Sequence, residues 1–194
     1  MAILQTADEA NLLNLSNQFL LAMPGLTGDY FASSLIYVCE HNEDGALGLV
    51  VNRPSGLTLI ELFAQLSLNT KPSFVDVPVL SGGPVSTDQG FVLHSADYMP
   101  DSSTTLTDEL SMSTAIDTLQ AISEDRGPEQ YLITLGYAGW AAGQLEDEIA
   151  HNVWLSTPSD TSILFDQPYS DRLNAAASAL GIDFSLIAGR PGHA

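Results

Sequence analysis

Cys39, Glu40 and His41 follow one another in a β-forming run, and they are the first residues in the chain equipped for chemistry. A thiol with an imidazole two positions on has the makings of an activated nucleophile or a redox sensor. In a regular strand Cys39 and His41 point to one face and Glu40 to the other. Side chains at i and i+2 stand about 6–7 Å apart, too far for a direct thiol–imidazole hydrogen bond. A lone cysteine among apolar residues reads more readily as a small buried hydrophobe. An enzyme site would require the fold to gather Cys39, His41 and His94 into one concave pocket. His41, His94, His151 and Glu40 lack the i, i+4 helical pairing and the short spacing of metal motifs, so neither a metal nor a cofactor is expected.

Two glycine-rich segments are the other candidates. Gly82 and Gly83, in Ser81–Pro84, could present backbone N–H groups to an anion. The loop has no P-loop lysine, Pro84 removes one donor, and a tight turn explains the glycines equally well. In Leu135–Gln144, Gly136, Gly139 and Gly143 flank Tyr137 and Trp140. Glycine in a strand signals close approach of another backbone or of a ligand. One reading is a shallow groove walled by Tyr137 and Trp140, with Gln144 and Glu148 as polar fixings. The other places both rings in the core, where Tyr and Trp are commonly found. The chain has no Gly-x-Ser-x-Gly, no paired-carboxylate motif and no dinucleotide fingerprint.

Composition narrows the class of function. The 194 residues are 45% hydrophobic and 15% charged, which fits one compact domain and excludes disorder. Five basic residues against 24 acidic ones give a net charge of −19. Tight duplex binders neutralise roughly 6–10 phosphates, so five scattered cations argue against direct nucleic-acid binding. The same charge repels anionic membrane. It suits either a salty cytoplasm or a basic protein partner steered by the field. One cysteine permits no internal disulfide, and Asp8 and Glu9 interrupt any would-be signal sequence, so the cytoplasm is the expected location.

The elements that must position these residues alternate in type. Strand patterns run over Phe19–Met23, Leu35–Asn42, Ala46–Arg53, Val77–Leu80, Phe91–His94, Thr105–Met112 and Tyr131–Tyr137. Shorter ones follow at Val153–Leu155 and Ile163–Phe165. Asp44-Gly45 between two such runs predicts a hairpin. Thr58–Leu66 predicts a helix, with Thr58 and Glu61 as capping box and an apolar stripe at Leu59, Leu62, Phe63 and Leu66. Further helices are predicted over Thr114–Ser123, with Ile116, Leu119 and Ile122 inward, over Gln144–His151, and over Asp171–Leu180. Hairpins between interleaved helices favour a mixed sheet with helices packed on it.

Four stretches in matching order then carry a resemblance. They are Phe19–Pro24 with Tyr37–Asn42, Gly45–Gly48 and Asn52–Pro54; Gly82–Pro84 with Gly90–His94; Leu135–Trp140 with Gly143–Glu146, Glu148, Asn152 and Trp154; and Asp171-Arg172 through Gly181–Asp183 to Gly192–Ala194. Together they resemble the YqgE/AlgH family of bacterial proteins. The resemblance implies an α/β sandwich built on a bent, partly barrel-like mixed sheet, covering about residue 14 to the end. Residues 1–13 stand outside the pattern as a polar extension. The resemblance implies a regulatory association, and it brings no enzyme activity, cofactor or catalytic residue. The expected function is therefore a non-catalytic binding or regulatory protein that holds a protein or small ligand. The alternative is an enzyme built on Cys39, His41 and His94.

Overall fold

The computed structural model describes residues 14–26, 28–114 and 116–183; residues 1–13 and the Gly192–Ala194 tail motif lie outside the described residues. Among the described residues ten strands form one curled sheet: β1 (Gln18–Ala22), β2 (Leu35–Asn42), β3 (Gly45–Val50), β4 (Pro54–Thr58), β5 (Pro78–Ser81), β6 (Val85–Ser95), β7 (Ser103–Thr105), β8 (Leu110–Ser113), β9 (Tyr131–Ala141) and β10 (Trp154–Pro158). The main path runs β10-β1-β2-β3-β9-β6-β8-β7, and β5 joins β4 to β9. Every pairing is antiparallel except β5 with β9, so the sheet is mixed, as expected. Its two ends, β10 and β7, do not pair with each other, which leaves a half-barrel with an open seam.

Five helices are described: α1 (Leu59–Gln65), α2 (Ile116–Ser123), α3 (Gln144–Ala150), α4 (Thr161–Phe165) and α5 (Arg172–Ala179). The side-chain period of two sorts each strand between the sheet faces. Phe19, Leu21, Tyr37, Leu49, Phe91, Leu93 and Leu110 form one continuous inner core with α4 and α5. The opposite face carries two separate cores. One packs Leu20, Ile36, Val38, Trp140 and Trp154 against α3. The other packs Val79, Val92 and Ile133 against α1 and α2. Helices thus cover both faces of the sheet.

Local chemistry accounts for most of these elements. The β2–β3 hairpin turns at Glu43-Asp44, where Asn42 Oδ1 accepts from the Asp44 N–H at 2.8 Å. At α1 the Glu61 carboxylate accepts from the Thr58 N–H at 2.8 Å and its hydroxyl at 2.7 Å, occupying an otherwise orphan donor. Three expectations need correction. Ile163–Phe165 is helix rather than strand, because Asp160 accepts from the Ser162 N–H at 2.8 Å and nucleates α4. Thr105–Met112 is not one strand; it folds back between β7 and β8 through Leu106–Glu109. Ile116 is 55% exposed, and Thr118 takes its place on the buried side of α2.

Candidate functional site

The catalytic reading depends on Cys39, His41 and His94 meeting, and the fold separates them. Between Val38 and Glu40 the β2–β3 register slips by one residue, a β-bulge. The extra residue flips the parity of everything beyond it. Cys39 stays on the inner face with Tyr37, while His41, opposite Ala46 and Trp140, faces α3. Cys39 and His41 therefore point to opposite faces, contrary to a regular strand. Burial and the Glu40 charge push the Cys39 thiol far above the ordinary range, so it stays protonated and unreactive at neutral pH.

His41 and His94 are each held in place. The Leu15 N–H donates to His41 Nδ1 at 3.1 Å, which leaves the ring proton on Nε2, 3.1 Å from Glu146 Oε1. This ties the lead-in at Leu15 and Ser16 to β2. His94 lies three strands from β2, on β6, fully buried. Its Nδ1 donates to the Ser95 carbonyl at 2.9 Å, so Nε2 accepts from the Ser113 hydroxyl at 2.8 Å. Ser113 is itself fully buried, and neither residue lines the cavities described below. This Ser–His contact is a core fastener. Desolvation pulls the His94 pKa below its ordinary value.

The glycine–aromatic segment is continuous strand, β9, and this decides where its side chains go. Tyr137 and Trp140 are three residues apart, an odd separation, and belong to opposite cores. They do not wall a common groove. Tyr137 is half-buried and packs edge-to-face on Phe91, with ring centroids 5.7 Å apart. Trp140 is 7% exposed and packs edge-to-face on Trp154 at 6.1 Å. Glu148 locks both indoles: Oε2 accepts from Trp140 Nε1 at 2.9 Å and from Trp154 Nε1 at 2.7 Å, while Oε1 accepts from Gln144 Nε2 at 2.8 Å. Gln144 Oε1 in turn accepts from the Ala141 N–H at 3.0 Å. Gln144, Glu148 and Trp140 are thus brought together, as fixings of α3 to the sheet.

Gly82, Gly83 and Gly136 are also brought together, by a backbone crossing. A Cβ on Gly83 would lie 2.0 Å from the Tyr137 carbonyl carbon, and one on Gly82 would lie 2.3 Å from Gly136 O. Only residues without side chains let the β5–β6 connection lie this close to β9. The close approach is of another strand, where the sheet bends.

A wide concavity lies elsewhere, at the open seam. A cleft of about 760 Å³ separates the β7–β8 turn, Thr107–Leu110, from the end of β10 and the start of α4, Thr157–Thr161. Its floor is apolar, from Phe19, Leu110, Ile163 and Ala176, and exposed Asp108, Glu109 and Asp160 stand around it with no basic residue among the described ones. Asp160 is engaged as the α4 cap, which holds its carboxyl below the usual range. Asp108 and Glu109 face solvent. Composition does not single out these residues, since the seam is created by segments about fifty positions apart. Among the described residues no group of three His, Cys, Asp or Glu is placed to hold a metal, and no helix is long and apolar enough to cross a membrane.

Comparison with known proteins matches this architecture to a family model described as AlgH-like, over residues 19–185. The chain belongs to the AlgH-like family. A UPF0301 protein of Thioalkalivibrio sulfidiphilus is 49% identical over 181 residues, covering 93% of this chain and 97% of that one. A UPF0301 protein of Bordetella avium is 49% identical over 192 residues, covering 97% and 96%. The solution structure of the AlgH protein from Pseudomonas aeruginosa superposes with a TM-score of 0.77 at 46% identity, covering 99% of this chain and all of that one. A Corynebacterium diphtheriae protein shares the fold at 24% identity, with a TM-score of 0.69 over 86% of this chain.

Proposed function

We propose that this AlgH-like chain is a non-catalytic, cytoplasmic binding or regulatory protein that receives a basic, partly apolar segment of a partner protein in the seam cleft. The observation that carries the reading is the cleft itself: an apolar floor at an unclosed sheet edge, with solvent-facing carboxylates and, among the described residues, no cation on its rim. A segment alternating Lys or Arg with aliphatic residues complements both surfaces. The net charge of −19 would steer such a partner and speed its encounter. The same charge disfavours nucleic acid as the partner. The reading moves the binding surface away from Tyr137 and Trp140, whose rings serve separate cores.

The test is a ¹H–¹⁵N NMR titration with short peptides alternating Lys and Leu. Shifts concentrated at Thr107–Leu110 and Thr157–Ile163, weakened in the Asp108→Asn/Glu109→Gln double variant, support the reading. Shifts spread evenly over the acidic surface, and unchanged in the variant, would show charge screening alone and sink it.

A further inference from the structure

A second cavity is small, lined mainly by apolar side chains, and bordered by a cation that has no carboxylate partner among the described residues. Its volume is about 140 Å³, roughly five water volumes at about 30 Å³ each. Pro78 and Leu80 of β5, Leu132 and Ile133 of β9, and Phe165 of α4 supply most of its lining. The one charged side chain that lines it is Arg172, the first residue of α5, at 6% exposure.

The other described cations all have an evident partner. Lys71 pairs with Asp125, and Arg126 with Glu124. Arg53 donates to the Ala32 carbonyl at 3.1 Å and lies 4.7 Å from the centre of the Tyr30 ring. Among the described residues Arg172 meets two carbonyls and no carboxylate: Nε donates to Gln167 O at 3.2 Å and Nη1 to Val51 O at 2.5 Å. A guanidinium carries five N–H groups, and these two bonds engage two of them. No carboxylate among the described residues lines the cavity. Burial draws the Arg172 pKa down to about 10, and the group is still cationic at neutral pH. A buried charge without a counter-charge is among the more expensive features a core can keep.

We propose that Arg172 and the cavity between β5, β9 and α4 form a binding site for a small aliphatic monocarboxylate, with the carboxylate on the guanidinium and the alkyl chain against Pro78, Leu80 and Phe165. A planar fork of N–H donors matches a carboxylate in shape and charge. The apolar lining selects against fully hydrated anions such as sulfate, which would lose water to hydrocarbon on entry. The volume suits an acid of about three to five carbons. The site is separate from the seam cleft, so either assignment can fail alone.

The experiment titrates the ¹⁵N-labelled full chain with formate, acetate, propionate, butyrate, valerate and octanoate, and with chloride and sulfate for comparison, at constant ionic strength, reading Arg Nε–H and backbone amide signals. The chain has four arginines, and the Arg172 Nε–H is assigned by its loss in Arg172→Lys. The expected result is saturable shifts at Arg172 Nε–H and at Tyr131–Ile133. Affinity should rise about four-fold per added methylene from acetate to butyrate, then fall at octanoate when the cavity is full. Arg172→Met should abolish the response. The length series on the wild-type chain decides the matter even if that variant does not fold. Equal responses to chloride, sulfate and butyrate, or no shift at Arg172 with any acid, overturn the proposal.

Discussion

Removing the Glu148 carboxylate puts the structural account of the Trp140 region to its hardest test. Glu148→Ala strips the acceptor from two indole N–H donors at once, those of Trp140 and Trp154, whose residues are 7% and 3% exposed. A buried donor left without a partner costs about 1–3 kcal/mol. Glu148 is itself half-buried, so water reaches part of the vacated space and the low end of that range applies to each indole. The expected loss is about 2–4 kcal/mol. Glu148→Gln keeps an oxygen with two lone pairs for both indoles and loses the charge assistance and the bond from Gln144 Nε2, an exposed donor that can turn to water, so about 1 kcal/mol is expected. Urea unfolding followed by tryptophan emission reads this directly, because Trp140 and Trp154 are the only tryptophans in the chain. With a slope near 2 kcal/mol per molar urea, the Ala variant should melt about 1–2 M earlier. Its native emission should shift to the red. A Glu148→Ala midpoint within 0.3 M of wild type would refute the idea that this carboxylate locks α3 to the sheet. So would a Gln variant that loses as much as the Ala variant.

Three further outcomes follow from the same coordinates. Gly83→Ala forces a Cβ to about 2 Å from the Tyr137 backbone and should cost 4 kcal/mol or more, whereas Gly143→Ala, at φ 75° with open space around it, should cost only about 1–2 kcal/mol; equal effects in paired urea melts would contradict the crossing. Cys39 should resist iodoacetamide in the native chain and react in urea, as mass spectrometry can follow, and rapid native alkylation would restore a reactive-thiol reading. His94 is held neutral with its pKa below the ordinary 6.5, so below that value the unfolded state binds the proton first. Stability should therefore decline as pH falls from about 6.5, by at most about 1.4 kcal/mol per pH unit for this residue, before any carboxylate contribution is lost. Parallel stability–pH curves for wild type and His94→Gln would exclude His94 as the cause.

Features governed by adjacent residues were legible in the sequence, and those governed by distant ones were not. The Asp44-Gly45 hairpin and the Thr58–Glu61 cap depend on residues within four positions of each other, and both form. Ile163–Phe165 misleads because three apolar residues fit a short strand as well as one helical turn; the Asp160 cap just ahead of them was the available signal. The separation of Tyr137 from Trp140 was also available, since an odd spacing in a strand puts two rings on opposite faces, but glycines at 136 and 139 disguise β9 as a loop. No comparable signal announces the bulge at Cys39, because Val38, Cys39 and Glu40 suit a regular strand equally well.

The two concavities raise a different problem, because neither is a motif. The seam cleft exists because β10 and β7 are the strands that fail to meet, a property of the sheet order rather than of any segment. Arg172 looks in sequence like an ordinary basic residue at a helix start, a position where the helix dipole disfavours a cation. That misfit is the one local hint of its role. Its side chain crosses to Val51, 121 positions earlier, and only the folded chain reveals that no carboxylate among the described residues comes with it. In a protein this acidic, a buried arginine with no described carboxylate partner, while Lys71 and Arg126 find surface partners, is hard to explain by a shortage of anions. A clamp on two carbonyls would be served by a neutral donor at lower desolvation cost. Retention of a full charge there is the physical reason to look for an anion from outside the chain.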